Sequence, residues 1–367
     1  MKSDYGNVYE VYEEQYGRIF SVGKLNTYAH LVAVSRGDLI TENQDIDNLN
    51  DTMLDIDVLD SYKYINFNQL NDIEGKLECA GNVYEGDFKQ GKLDGYGKLI
   101  QANGNVYKGL FKQGKLDGYG QLTQANGDFY EGLFKQGKPD GRGKLTYPKG
   151  TVYEGDFKQG KPDGRGKLTH PNGNVYNGEF KQGKPDGRGK LTYPNGTVYE
   201  GDFKQGEIDG RGKLIKANGD VYNGDFKEDK FDGRGQLNQA NGTVYKGLFK
   251  EDKFDGFGKL THPNGDFYEG EFKKGKFDGR GQLIEAGDFY EGEFKEGKFD
   301  GYGQLNQANG DVYKGKFKQG KLDGRGQLIE ANGDVYKGSW ENGNLDFISK
   351  LQSKISKLSK LCYTENL

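Results

Sequence analysis

The chain has 367 residues, with 61 Gly, 25 Tyr and 22 Phe but only 33% hydrophobic residues, and a formal net charge of −4. A glycine share of about one sixth without a three-residue period excludes collagen, 13% aromatic residues exclude a simple solvating coil, and a dense core of branched aliphatics is excluded by the composition. Two cysteines, Cys79 and Cys362, make no disulfide scaffold, and the start Met-Lys-Ser-Asp-Tyr-Gly lacks a signal-peptide stretch, so the expectation is a soluble, cytoplasmic protein.

Residues 1–60 read as an acidic, non-repeat N-terminal segment. Residues 1–80 hold 6 basic and 15 acidic side chains. Tyr5, Val8, Tyr9, Tyr12 and Tyr16 suggest an amphipathic start. From Asp45 to Asp60, Asp alternates with Ile, Leu and Met, which leaves a helix, a linker or a partner-binding segment open. The stretch lacks the glycine and terminal glutamate of an EF-hand loop.

A repeat then takes over. Tyr84, Tyr107, Tyr130, Tyr153, Tyr176, Tyr199, Tyr222, Tyr245 and Tyr268 follow one another at 23 residues; Tyr290 comes after 22, then Tyr313 and Tyr336 at 23 again. From each tyrosine, Gly recurs at +2, Phe at +4, Asp-Gly at +10 and +11, Gly at +13 and Leu at +15, as in Gly155, Phe157, Asp163, Gly164, Gly166 and Leu168 after Tyr153. A degenerate unit from Tyr62 keeps Asp72, Gly75 and Leu77, so the array is read as 62–346, with 62–83 degenerate. Its pattern breaks at Phe347, where a glycine should stand.

Each unit reads as two short strands. Asn-Gly pairs such as Asn103-Gly104 are expected to form tight primed hairpin turns, and Lys-Gln-Gly-Lys-x-Asp-Gly a longer connection. Period-two alternation places Tyr, Gly and Phe on one face, and Gly, Gly and Leu on the same face of the next strand, so rings lie on neighbouring backbone. One unit alone buries too little to offset the ordering of its backbone, so stability must come from stacked neighbours. The fold class expected is all-β, an elongated antiparallel ribbon of about 12 tandem 23-residue hairpins.

Residues 347–361 close the chain as an amphipathic helix, with Ile348, Leu351, Ile355, Leu358 and Leu361 three or four apart and lysines between them. Folded back onto Tyr336, Trp340 and Leu345 it is a cap for the last hairpin; turned outward it offers a homodimer interface, or a basic membrane-surface helix. Trp340, Leu345, Ile348, Leu351, Ile355 and Leu358 are therefore the candidate cap or dimer residues.

The motif Tyr-x-Gly-x-Phe-x-x-Gly-Lys-x-Asp-Gly-x-Gly, read from Tyr84 to Gly97, resembles the membrane occupation and recognition nexus (MORN) repeat. The resemblance covers about three quarters of the chain. It implies an elongated β-ribbon used for scaffolding, as in junctophilins, ciliary radial-spoke heads, parasite cytoskeletal rings and plant phosphatidylinositol phosphate kinases. Family members often carry Trp at +4; here it is Phe except for Trp340. The implied function is a non-enzymatic scaffold for protein–protein interaction at a membrane or cytoskeletal structure. The alternative is a module that binds or targets phospholipid surfaces.

Catalytic, cofactor and metal sites are not expected. His170 and His262 share one repeat position four units apart, His30 lies in the N-terminal segment, and no zinc spacing exists. Gly-Arg-Gly-Lys-Leu lacks the P-loop spacing. With a sequence pI near 5.7, nucleic acid is not expected as a partner. The candidate binding residues are paired cationic rows at +12 and +14: Arg142, Lys144, Arg165, Lys167, Arg188, Lys190, Arg211 and Lys213. These suit anionic lipid headgroups, unless Glu154, Asp156, Glu179, Glu200 and Asp202 on adjacent strands neutralise them. Partners expected are other proteins, anionic phospholipids and a second copy of the chain.

Overall fold

The computed structural model describes residues 9–12, 19–22, 29–32 and 71–364, in two compact units, Met1–Pro194 and Asn195–Leu367. In the first unit, strands run from Asn71–Cys79 to Lys184–Thr192, each paired antiparallel with the next. The second does the same from Val198–Lys204 to Asn344–Leu345 and ends in the helix Phe347–Thr364. Among the described residues this is an all-β array of tandem hairpins with one helix, as the repeat pattern requires.

The hairpin from Tyr153 shows how the repeat folds. Strand Val152–Lys158 pairs with Lys161–Thr169 so that Tyr153 faces Leu168, Gly155 faces Gly166 and Phe157 faces Pro162. The Tyr153 ring, 1% exposed, lies over Gly166, where any Cβ would overlap it. Its hydroxyl donates to the carbonyl oxygen of Asp156 at 2.8 Å. Phe157 meets this ring edge-on at 5.0 Å and the Tyr130 ring of the previous hairpin at 4.9 Å. Tyr84, Tyr107, Tyr130 and Tyr153 each join two phenylalanines in this way, and edge-to-face pairs run along the inner face of the unit. In the second unit, where +9 is Phe, a further ring stacks on the tyrosine, as Phe231 does on Tyr222 at 3.8 Å.

The two turn types are exchanged relative to the sequence expectation. Lys-Gln-Gly-Lys is the tight turn: Lys158 faces Lys161 directly, and Gln159 and Gly160 both have positive φ, 51° and 86°. That is the mirror-image geometry matching strand twist. The Asn-Gly connection is the longer loop, closed by backbone bonds such as His170 N to Asn174 O at 2.9 Å and Gly173 N to His170 O at 2.9 Å. Where one residue is missing, at Ala80-Gly81 and Ala286-Gly287, that loop collapses to a two-residue turn with both φ values positive. The Asp at +10 ties one hairpin to the next, since Asp163 Oδ2 accepts from Gln182 N, in the following tight turn, at 3.2 Å.

At the N-terminal side, Asn71–Cys79 pairs with Asn82–Lys89 in repeat register, Gly75 to Gly86 and Leu77 to Tyr84. Ala29–Val32 adds a parallel strand along Gly75–Glu78. Tyr9–Tyr12, within the expected amphipathic start, is a strand paired with Ile19–Val22. Tyr5, Val8, Tyr16, the stretch Asp45–Asp60 and the first half of the degenerate unit lie outside the described residues.

The array ends for a stereochemical reason. Gly at +11 elsewhere takes positive φ, 107° at Gly164, a region that Phe347 adopts only at a cost. The strand stops and Asp346 caps a helix instead. Its Oδ1 accepts from Ser349 N at 2.9 Å, and its Oδ2 accepts from the Ser349 hydroxyl at 2.5 Å and from Ser339 N at 3.1 Å. These donors hold the Asp346 carboxyl below the usual carboxylate range.

Candidate binding faces

The inner face is occupied by the ring ladder, so chemistry offered to a partner sits on the outer face, where +1, +3, +12 and +14 emerge. The structure interleaves the cationic rows with acids. Arg142 faces Asp156 across the ladder, Nε to Oδ1 3.9 Å; Lys144 stands between Glu131 and Glu154; Arg165 faces Glu179. Lys167 stands between Glu154 and Asn177, and Lys190 also faces Asn177. Arg188 is engaged as well. In the second unit, Arg211 Nε donates to Asp225 Oδ1 at 3.3 Å, and Lys213 lies between Glu200 and Asn223. These are solvent-exposed pairs, each contributing little to stability. Together they make a mixed-charge surface in place of a cationic field.

A different feature occupies the same register in the first hairpins. Tyr96 faces Leu110, and Tyr119 faces Leu133, on four consecutive strands. These residues are 52%, 41%, 52% and 42% exposed. Leu110 leans over Gly118 and Leu133 over Gly141, which closes the row. The Tyr119 hydroxyl donates to Glu131 Oε1 at 2.8 Å, beside Gln121 Nε2 at 3.0 Å. The Gln121 amide and then this hydroxyl hold Glu131 below the usual carboxylate range. The row is not among the residues expected from the sequence. Aligning the repeats exposes it, because +12 changes from Arg to Tyr at 96 and 119 while +3 changes from Asp or Glu to Leu at 110 and 133.

The C-terminal candidates separate into two groups. Trp340 and Leu345 face each other in the last hairpin and are buried, Trp340 edge-on to Tyr313 at 5.6 Å. Among the described residues its buried Nε1 finds no hydrogen-bond acceptor. Ile348, Leu351 and Ile355 point outward, half exposed or more. The helix rests on the hairpin through Ser349, which sits where a Cβ on Gly338 would be. The Leu358 side chain lies outside the described residues.

Among the described residues no group of three or more His, Cys, Asp or Glu side chains is arranged to hold a metal ion. His262 Nδ1 lies 3.3 Å from Thr243 Oγ1 in the preceding loop. Among the described residues, no helix is long and apolar enough to cross a membrane.

Tandem β-hairpins clasped by tyrosine on glycine, with variable outer faces, define a repeat protein of stacked β units. The MORN repeat model matches eleven consecutive segments from 84–106 to 313–335, and the chain belongs to the MORN repeat family. No curated protein matches it in sequence. Among solved structures, it is similar to the TCP domain of SAS-4 from Drosophila melanogaster, bound to a proline-rich motif of Ana2, at 17% identity over 48% of this chain and 84% of that one, TM-score 0.22. It is also similar to a catalytically inactive virginiamycin B lyase from Staphylococcus aureus with quinupristin, at 12% identity over 74% and 85%, TM-score 0.13.

Proposed function

We propose that the chain is a non-enzymatic scaffold that holds other proteins on the outer face of its hairpins. The observation that carries this reading is the exposed row Tyr96, Leu110, Tyr119 and Leu133. Contiguous apolar side chains on an otherwise charged surface mark protein contacts, and aromatic anchors are favoured in such contacts. The Arg–acid register at Arg142, Arg165, Arg211 and Arg280 argues against an anionic lipid surface, since paired charges leave little field. Incubating the full chain with neutral and phosphatidylserine vesicles separates the classes. The scaffold reading expects the protein to stay at the bottom of a flotation gradient; flotation with anionic vesicles, abolished by Arg165→Glu, Arg188→Glu and Arg211→Glu together, transfers the function to lipid.

Self-association is part of the reading. The outward stripe of Ile348, Leu351 and Ile355 is the specific observation in its favour, and the partner it suits is a second copy presenting the same stripe.

A further inference from the structure

The tight turns place like charges directly opposite one another. In the first unit Lys89 faces Lys92, Lys112 faces Lys115, Lys135 faces Lys138, Lys158 faces Lys161 and Lys181 faces Lys184. Opposed like charges destabilise a strand pair, and the single aspartate that reaches each turn from Lys112 on, as Asp94 Oδ2 accepts from Gln113 N at 3.1 Å, leaves two lysines against one acid. Among the described residues, no carboxylate forms an ion pair with any of these ten side chains. They form a rail along one edge of the sheet, one pair about every 10 Å.

The same chain carries a matching anion. Residues 37–62 hold eight acids, Asp38 to Asp60, and no Lys or Arg. This stretch leads into Asn71, whose partner across the ladder is Lys89, the first lysine of the rail. The charge of the stretch and its place in the chain, next to the first pair of the rail, are what match it to this edge.

We propose that the lysine rail from Lys89 to Lys138 is a docking edge whose occupant is the chain's own acidic stretch, residues 37–62. The contact is electrostatic, aspartates of the stretch against the lysine pairs of the rim. Three pairs span about 20 Å, and the 16 residues from Asp45 to Asp60 reach about 50 Å when extended, so length does not limit the contact. Tethering supplies a high effective concentration, which compensates for the weakness of each surface ion pair. Lys158, Lys161, Lys181 and Lys184 remain open.

Zero-length carbodiimide crosslinking of the full chain, with peptide mapping by mass spectrometry, tests this. Links from Asp45–Asp60 should fall on Lys89, Lys92, Lys112, Lys115, Lys135 and Lys138, with Lys259–Glu269 as the internal positive control, an ion pair of 2.9 Å. In Lys112→Glu/Lys115→Glu, links to neighbouring lysines should drop severalfold and return when Asp51→Lys and Asp55→Lys are added. Folding is guarded because Glu207 already occupies the second position of one such turn, opposite Lys204. Links from Asp45–Asp60 spread evenly over lysines of both units, or absent while the control forms, overturn the proposal. So do links found only between isotope-labelled and unlabelled chains, which make the occupant a second copy. A silent rail on a protein that floats with phosphatidylserine vesicles assigns the edge to a membrane and overturns it equally.

Discussion

The ring of Tyr153 lies across Gly166 on the neighbouring strand, with its hydroxyl donating to the carbonyl of Asp156 at 2.8 Å. The hydrogen bond fixes where the ring ends, so the ring cannot swing aside for a larger neighbour. Gly166→Ala should therefore lower stability by about 1–3 kcal/mol, the usual cost of overpacking a well-filled site. Urea unfolding followed by circular dichroism measures it; an unchanged midpoint contradicts the clasp.

The tyrosine hydroxyls also predict an alkaline limit. Burial raises Tyr176 and Tyr313 from 10 to about 12, and the neutral form is the one that donates. A folded-state value above the unfolded one means the contribution is complete below about pH 10 and is lost as pH rises through about 12. Ionisation absorbance and ellipticity should change together in that interval. Tyr245→Phe, which leaves the Leu248 carbonyl without its 2.8 Å donor, should cost about 0.5–1.5 kcal/mol at neutral pH.

Trp340 stands where the other repeats have Phe, and its buried Nε1 lacks an acceptor among the described residues. Leaving a buried donor unpaired costs about 1–3 kcal/mol, which offsets what the larger ring gains. Trp340→Phe should hold or raise the melting temperature. A clear fall would show that the indole contributes packing that Phe does not replace.

The outward helix stripe predicts a homodimer. Light scattering of the full chain should give twice the monomer mass, and Ile348→Lys/Leu351→Lys should return it to monomer with unchanged ellipticity. A monomeric wild-type chain contradicts this.

The period of 23 made the hairpins legible, because Tyr153, Gly155, Phe157 and Gly166 each fill a place that other residue types cannot. Turn identity was not legible. Asn-Gly is a strong local signal, but the tight turn went to Gln159-Gly160, because pairing of Lys158 with Lys161 is fixed by the ring ladder and not by turn propensity. The helix at Phe347 was visible in its apolar spacing. Which way it faces depends on Ser349 settling over Gly338, a contact between residues too small to register in a hydrophobic pattern. The cationic rows and the acids able to neutralise them were both legible as residues; which acid faces which cation was not, since that needs the strand register setting Arg142 opposite Asp156 and Arg165 opposite Glu179.

The central claim, that the row at Tyr96, Leu110, Tyr119 and Leu133 holds partner proteins, has a direct test built from the repeat itself. Tyr96→Arg, Leu110→Asp, Tyr119→Arg and Leu133→Asp together reproduce the Arg142–Asp156 arrangement of the adjacent repeats, so the fold should keep its ellipticity and melting temperature. Affinity capture from native extract, quantified for wild type and this variant side by side, should show proteins retained by wild type lost from the variant. Retention of the same proteins in the same amounts by a folded variant would contradict the account.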